Sequence, residues 1–250
     1  MNAPVNETLL AALLAALLAG VGGLLVPRLV ARVPEPAPKA DAIPDDATPD
    51  DEPAKTPYAV IAARPGLGLR SAVVSAVSGA LVGAVTGLDW PLLWLVPLVP
   101  VAVALSVIDW HTKLLPRVIV IPATLAAILL VTVVGLATDQ RDALVRALVA
   151  MVVGRSFFWV LWFVRSAGMG FGDVRLAAPV GLVLGWAGWN EVALGLWVGF
   201  VSFALPAVGL AIVRRDRTML KKSFPFGPFM VLGALAGLVW GTALSWPFGP

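Results

Sequence analysis

Residues 91–108 read PLLWLVPLVPVAVALSVI, eighteen residues without a charge, and Asp109 follows at once. As an α-helix at ~1.5 Å per residue the stretch is about 27 Å long, close to the ~30 Å hydrocarbon thickness of a bilayer. In hydrocarbon every backbone N–H and C=O must be satisfied within the segment, so the stretch reads as a helix. Seven further apolar segments surround it, at roughly 8–26, 71–88, 117–137, 145–164, 176–190, 192–213 and 225–245. The 176–190 segment is short and could run into its successor, which leaves seven spans as the other count. The composition agrees with a lipid solvent. Hydrophobic residues make up 59% and charged residues 13%, with a mean hydropathy of +0.91, against roughly 25% charged in soluble domains. The expected fold is all-α, a polytopic integral membrane protein of about eight transmembrane helices.

The basic residues give it an orientation. With the N-terminus outside the cytoplasm, fifteen of the 18 lysines and arginines fall on one face: Arg28, Arg32, Lys39, Lys55, Arg64, Arg70, Lys113, Arg117, Arg165, Arg175, Arg214, Arg215, Arg217, Lys221 and Lys222. Arg141 and Arg146 fall on the other face and Arg155 lies within a span. Cytoplasmic loops carry the excess of Lys and Arg, so the fifteen-residue face is the cytoplasmic one. Residues 1–27 hold a first span with no basic residue ahead of it, which argues for a retained helix over a signal peptide. Residues 28–70 form a cytoplasmic loop, and 71–250 a membrane-embedded domain. Within the loop, residues 34–57 carry seven prolines, seven acidic residues and two lysines. Such a segment buries too little apolar surface to offset its ordering entropy and is expected to be a disordered tether.

Two periodic features read as packing. Small residues recur every fourth position at Ser75, Gly79, Gly83 and Gly87 and again at Gly233, Gly237 and Gly241, forming faces on which a neighbouring backbone can close in. Tryptophans near span ends, among them Trp90, Trp94, Trp110, Trp189 and Trp246, suit the headgroup belt.

Composition removes much catalytic chemistry. With no cysteine and a single histidine, His111, thiol nucleophiles, thiolate metal sites and a zinc centre of histidines are excluded, and no metal is expected. The basic pI of 9.7 reflects charges that flank spans and does not point to nucleic acid. Charged side chains near hydrocarbon are costly and invite a functional reading. Sorting the fifteen acidic residues by position leaves two at the cytoplasmic edge of spans. Asp109 ends the third span, and Asp173 closes Gly170-Phe171-Gly172-Asp173 before the sixth. Either carboxylate alone could be an interfacial acid paired with a base, Lys113 or His111 for Asp109 and Arg175 for Asp173. Together, on a face assigned from the basic residues alone, they suit an aspartyl protease. Two like charges held close retain one proton between them, giving a base and an acid at one site. Gly170 and Gly172 would let the backbone lie close to an extended substrate.

Gly-x-Gly-Asp is a short pattern, but its surroundings are more specific. Ser166-Ala-Gly-Met-Gly-Phe-Gly-Asp173-Val-Arg-Leu-Ala-Ala, opening an apolar helix, resembles the second catalytic segment of the type IV prepilin peptidases, membrane aspartyl proteases of the Gly-x-Gly-Asp class. Asp109-Trp-His-Thr-Lys-Leu-Leu-Pro116 resembles the family's first segment, and the lysine-rich approach to Pro225-Phe226-Gly227-Pro228 a third. The resemblance covers residues 90 to 245 in order and spacing. It implies catalytic roles for Asp109 and Asp173 without a metal. It also implies cleavage of short basic leaders from prepilin or pseudopilin precursors, after a glycine where leader meets hydrophobic helix, at the inner membrane's cytoplasmic edge. Membrane lipid and the precursor are the expected partners.

The chain departs from the family in three places. Many members carry a cysteine-bearing insertion after the first span and methylate the new N-terminus with S-adenosylmethionine; this chain has no cysteine and a short acidic loop. That counts against methyltransferase activity and against S-adenosylmethionine or any other cofactor. The family's first-span signature is only echoed, in Val26-Pro-Arg28 through Arg32-Val-Pro34, and Arg175 stands where many relatives have lysine. A proton-coupled transporter would use paired intramembrane carboxylates too, but nearer the bilayer midplane and within repeats.

Overall fold

The computed structural model describes residues 5–35, 56–164, 170–213 and 225–241. Its described regular structure is entirely α-helical: α1 Val5–Leu24, α2 Val26–Ala31, α3 Tyr58–Ala62, α4 Leu67–Thr86, α5 Leu92–Thr112, α6 Arg117–Ala137, α7 Arg141–Val164, α8 Phe171–Ala187, α9 Trp189–Val213 and α10 Gly227–Trp240. All eight apolar segments became separate helices. Five of these, α1, α4, α5, α6 and α7, are long and apolar enough to cross a membrane, and the chain is a multi-pass membrane protein. The 176–190 segment does not run into its successor, because Gly188 breaks the chain with an extended backbone (φ 165, ψ 172).

Small residues set the pairing. Ala11, Ala15 and Ala19 of α1 lie against Gly79 and Gly83 of α4. Gly195 and Gly199 of α9 face Gly233 and Gly237 of α10. A third such face, not singled out in the sequence, joins Ala147 and Ala150 of α7 to Gly181 and Gly185 of α8. Without a hydrophobic force between helices in lipid, close backbone approach supplies the packing. The glycine stripes thus serve helix packing.

Among the described residues the core falls into two large clusters and a small third one of Ala15, Ala19 and Val96. One gathers Leu105, Ile108, Leu115, Val120, Val174, Phe226 and Met230 beneath the two aspartates. The other holds Trp94, Val131, Leu144, Leu182 and Trp186. Trp94 corrects a sequence expectation: it is 1% exposed and meets Trp186 edge-on with ring centroids 5.0 Å apart. It is a core residue, whereas Trp90, Trp110 and Trp189 are exposed as belt residues should be, and Trp246 lies outside the described residues. Beside this second cluster Arg146 of α7 donates from Nε to the Gly185 carbonyl and from Nη2 to that of Trp186, each at 2.7 Å. These are carbonyls a helix C-terminus leaves without partners.

The expected disordered tether lies mostly outside the described residues, but its flanks are folded. Val30 and Val33 before it and Tyr58 and Ile61 after it are buried in the cluster that contains Ile108. Glu35 Oε1 accepts the amide of Ala59 at 3.3 Å. The Tyr58 hydroxyl is hydrogen-bonded to Thr112, so the loop's return docks on the end of α5. Burial pushes the Tyr58 phenol above its usual range; the Glu35 charge adds to this and the Thr112 bond opposes it.

Candidate active site

Three helix ends converge where α5 stops. Asp109 sits in the last turn of α5, which ends at Lys113 in the left-handed conformation (φ 53, ψ 33). The Lys113 amide donates to the Asp109 carbonyl at 2.8 Å. Thr112 Oγ1 donates to Ile108 O at 2.8 Å and accepts from the Leu114 amide at 3.3 Å. This tight exit directs Leu114 and Leu115 across to α8 before Pro116 starts α6.

Asp173 lies in the first turn of α8 rather than before it. With Gly170 as the N-cap, Asp173 is the third residue of the helix, and its carboxylate accepts the Gly170 amide. This is the N3 half of a capping box, and the helix dipole favours an anion there. The Asp109 carboxylate is held likewise by another helix. Gly227 opens α10, and its otherwise orphaned N–H donates to Asp109 Oδ2 at 2.8 Å. The two carboxylates therefore each take a backbone N–H from a helix N-terminus. They are buried, 4% exposed for Asp109 and 7% for Asp173, and each lies within the other's electrostatic reach.

Both line one cavity of about 340 Å³. Phe200, Phe203 and Phe226 form its apolar wall, with Phe203 and Phe226 edge-on at 5.1 Å and Phe200 and Phe226 tilted by 38° at 5.4 Å. Lys113 and Arg175 line it too. The Arg175 guanidinium lies over the Phe171 ring, 4.8 Å from its centroid. Such an arrangement offers an extended peptide an apolar wall on one side and two carboxylates on the other.

The glycines behave differently from one another. A Cβ on Gly172 would stand 2.8 Å from Leu115 Cβ, so Gly172 admits the α5–α6 turn, and its backbone also lines the cavity. Gly170 is exposed, and a Cβ there would meet Asp173 Oδ2 only at 3.6 Å, an ordinary contact. Gly227, which the sequence marked only through its surrounding segment, is as closely constrained as Gly172. Its Cβ would meet Asp109 Oδ2 at 2.8 Å and Cγ at 3.2 Å. Pro228 at the start of an apolar run signals the helix start, but nothing local points to Asp109.

His111 takes no part in this cluster. Its Nδ1–H donates to the Val107 carbonyl at 2.8 Å, and Nε2 accepts from Arg64. The alternative in which His111 pairs with Asp109 gives way to these contacts. Among the described residues no group of three or more His, Cys, Asp or Glu assembles.

A family profile described as the type IV leader peptidase family matches residues 96–242, which contain every residue of this cluster. The protein named prepilin leader peptidase/N-methyltransferase of Burkholderia pseudomallei is 32% identical over 187 residues, covering 72% of this chain and 57% of the relative. Proteins of the same name from Pseudomonas putida and Pseudomonas aeruginosa are 34% and 30% identical, covering 70% and 65% of this chain and 57% and 51% of theirs. The chain thus spans a little over half the length of these relatives. No solved structure matches it.

Proposed function

The chain belongs to the type IV leader peptidase family, and on that footing we propose that it is a membrane aspartic endopeptidase. In this reading it cleaves the short basic leader from type IV prepilin or pseudopilin-like precursors at the cytoplasmic edge of the inner membrane. The observation that carries the proposal is the placement of Asp109 and Asp173, from different helices, as buried neighbours in one cavity. Eight membrane crossings with the N-terminus outside fit the same reading, since α8, α9 and α10 then complete the bundle.

The chemistry follows from a carboxylate pair that retains one proton. The ionised member takes a proton from water, and the resulting hydroxide forms a C–O bond at the scissile carbonyl. The protonated member donates to the carbonyl oxygen, whose developing charge is thereby stabilised. Collapse of the tetrahedral carbon breaks the C–N bond as the amine takes a proton from the pair. The proton belongs to the pair as a unit, so neither aspartate is singled out as its holder. The Gly170 and Gly227 amides fix the two carboxylates in position, which is the positional control catalysis requires. Leader cleavage before a hydrophobic helix suits this cavity, because amides at a helix end are free of the hydrogen bonds that protect those inside.

The relatives' names also carry N-methyltransferase. We assign no such activity here, because the chain has no cysteine and only a short loop after α1. Incubating the purified chain in detergent with a synthetic prepilin, and weighing the products, tests the reading. Release of an intact leader cut after glycine is expected. An uncut substrate, together with proton-coupled solute uptake by the reconstituted protein, would instead favour transport by the same aspartates.

A further inference from the structure

Arg155 stands inside α7, nine residues before the helix ends at Val164. At ~1.5 Å per residue that is about 14 Å from the end that carries the aspartates. Its side chain is exposed on the outer surface of the bundle, where a lone guanidinium facing hydrocarbon is costly. It borders a cavity of about 500 Å³ between α6, α7 and α8, which Arg175 also lines. Thr124 and Ser156 add hydroxyls, and Leu125 and Trp159 contribute exposed apolar surface along the groove. Thr124 lies seven residues into α6 from Arg117, at about 10 Å by the same rise, and Arg175 four residues into α8, at about 6 Å, so the polar groups step from Arg155 towards the helix ends. No carboxylate lines the groove. α6 contains none, the Asp142 of α7 is thirteen residues from Arg155, and the Asp173 of α8 faces the other cavity.

We propose that this groove is a binding site for one anionic phospholipid, its phosphate held between Arg155 and Arg175 and an acyl chain lying along Leu125 and Trp159. Two arginines lining one groove suit a phosphate, which guanidinium groups meet with paired N–H donors. Long arginine side chains reach from hydrocarbon towards the headgroup level. Basic pockets between transmembrane helices bind anionic headgroups in this way. Only Arg175 is shared with the cavity of the aspartates, and lipid binding in the groove needs no cleavage there, so the proposal does not depend on the peptidase reading.

The test is native mass spectrometry of the full chain in mild detergent, titrated with phosphatidylglycerol and with phosphatidylcholine of the same acyl chains. One phosphatidylglycerol should bind at least about fivefold more tightly, the effect of a single basic residue on an anionic lipid. Arg155→Gln should abolish that preference and Arg155→Lys should keep most of it. Equal binding of the two lipids by the parent, or an undiminished preference in Arg155→Gln, would overturn the proposal. Displacement of the lipid by inorganic phosphate alone would assign the arginines to a free anion instead. Should Arg155→Gln not insert, the parent's own ratio between the two lipids decides.

Discussion

Gly227 lies far in sequence from the aspartate it serves, and it gives the sharpest perturbation of the site. An alanine Cβ there would stand 2.8 Å from Asp109 Oδ2 and 3.2 Å from its Cγ, closer than van der Waals contact allows. Asp109 is 4% exposed, so its carboxylate has little free space and must turn off the α10 amide. Losing a hydrogen bond to a charged group costs about 1.5–3 kcal/mol, or roughly 10- to 100-fold in rate at 1.36 kcal/mol per decade. Displacing a catalytic group by about 1 Å leads to a similar figure, about 100-fold. Gly227→Ala should therefore lower kcat for prepilin cleavage by roughly 10- to 100-fold with a smaller change in KM. Purified protein, a synthetic prepilin and timed mass spectrometry of the leader provide the measurement. Gly170→Ala is the matched control, since its Cβ finds only an ordinary contact at 3.6 Å; it should fold as the parent does, with any loss appearing in KM. Parental kcat in Gly227→Ala would refute the claim that the α10 amide positions Asp109.

Three further outcomes are expected. Cysteines placed at Ala47 and Thr218 should be shielded from an impermeant thiol reagent in intact cells while one at Thr138 labels; the reverse pattern would invert the proposed topology. Deleting Ala40 to Ala54 should leave cleavage within a few-fold of the parent, because closure entropy changes only slowly with loop length. The buried flanks Val33 and Tyr58 remain in that variant, and complete loss of activity in a normally inserted protein would give the segment a role in substrate binding. Arg146→Ala removes two 2.7 Å bonds to the α8 C-terminus, at about 1.5–3 kcal/mol each for charged donors. It should depress the melting temperature in detergent without changing kcat/KM of the folded protein, and an unchanged melting temperature would count against the cap.

The sequence carried the two aspartates because a carboxylate at the edge of an apolar run is costly enough to stand out. It carried the helices because a lipid solvent permits little else. Helix α8 begins at Phe171, five residues before the first residue of the expected span, since an N-cap and an N3 acid extend a helix beyond its apolar stretch. The long-range contacts were not legible. Gly227 meets Asp109 across 118 residues, and no local pattern encodes which helix N-terminus faces which carboxylate. Nor was it legible that the missing Cβ of Gly172 makes room for Leu115. Trp94 sat near a span end like its neighbours, and only the tertiary partner Trp186 distinguishes a core indole from a belt indole.

The central claim, that Asp109 and Asp173 act as one catalytic pair, is tested most directly by leader cleavage in Asp109→Asn, Asp173→Asn and the double variant. Asparagine keeps the shape of each side chain and removes a buried charge, so expression and insertion should be preserved. Each single variant should release no leader from a synthetic prepilin, and the double variant should be no worse, because groups that act as a unit are strongly non-additive. His111→Ala, whose ring contacts Val107 and Arg64, should retain substantial activity. Robust cleavage by Asp173→Asn would contradict the account.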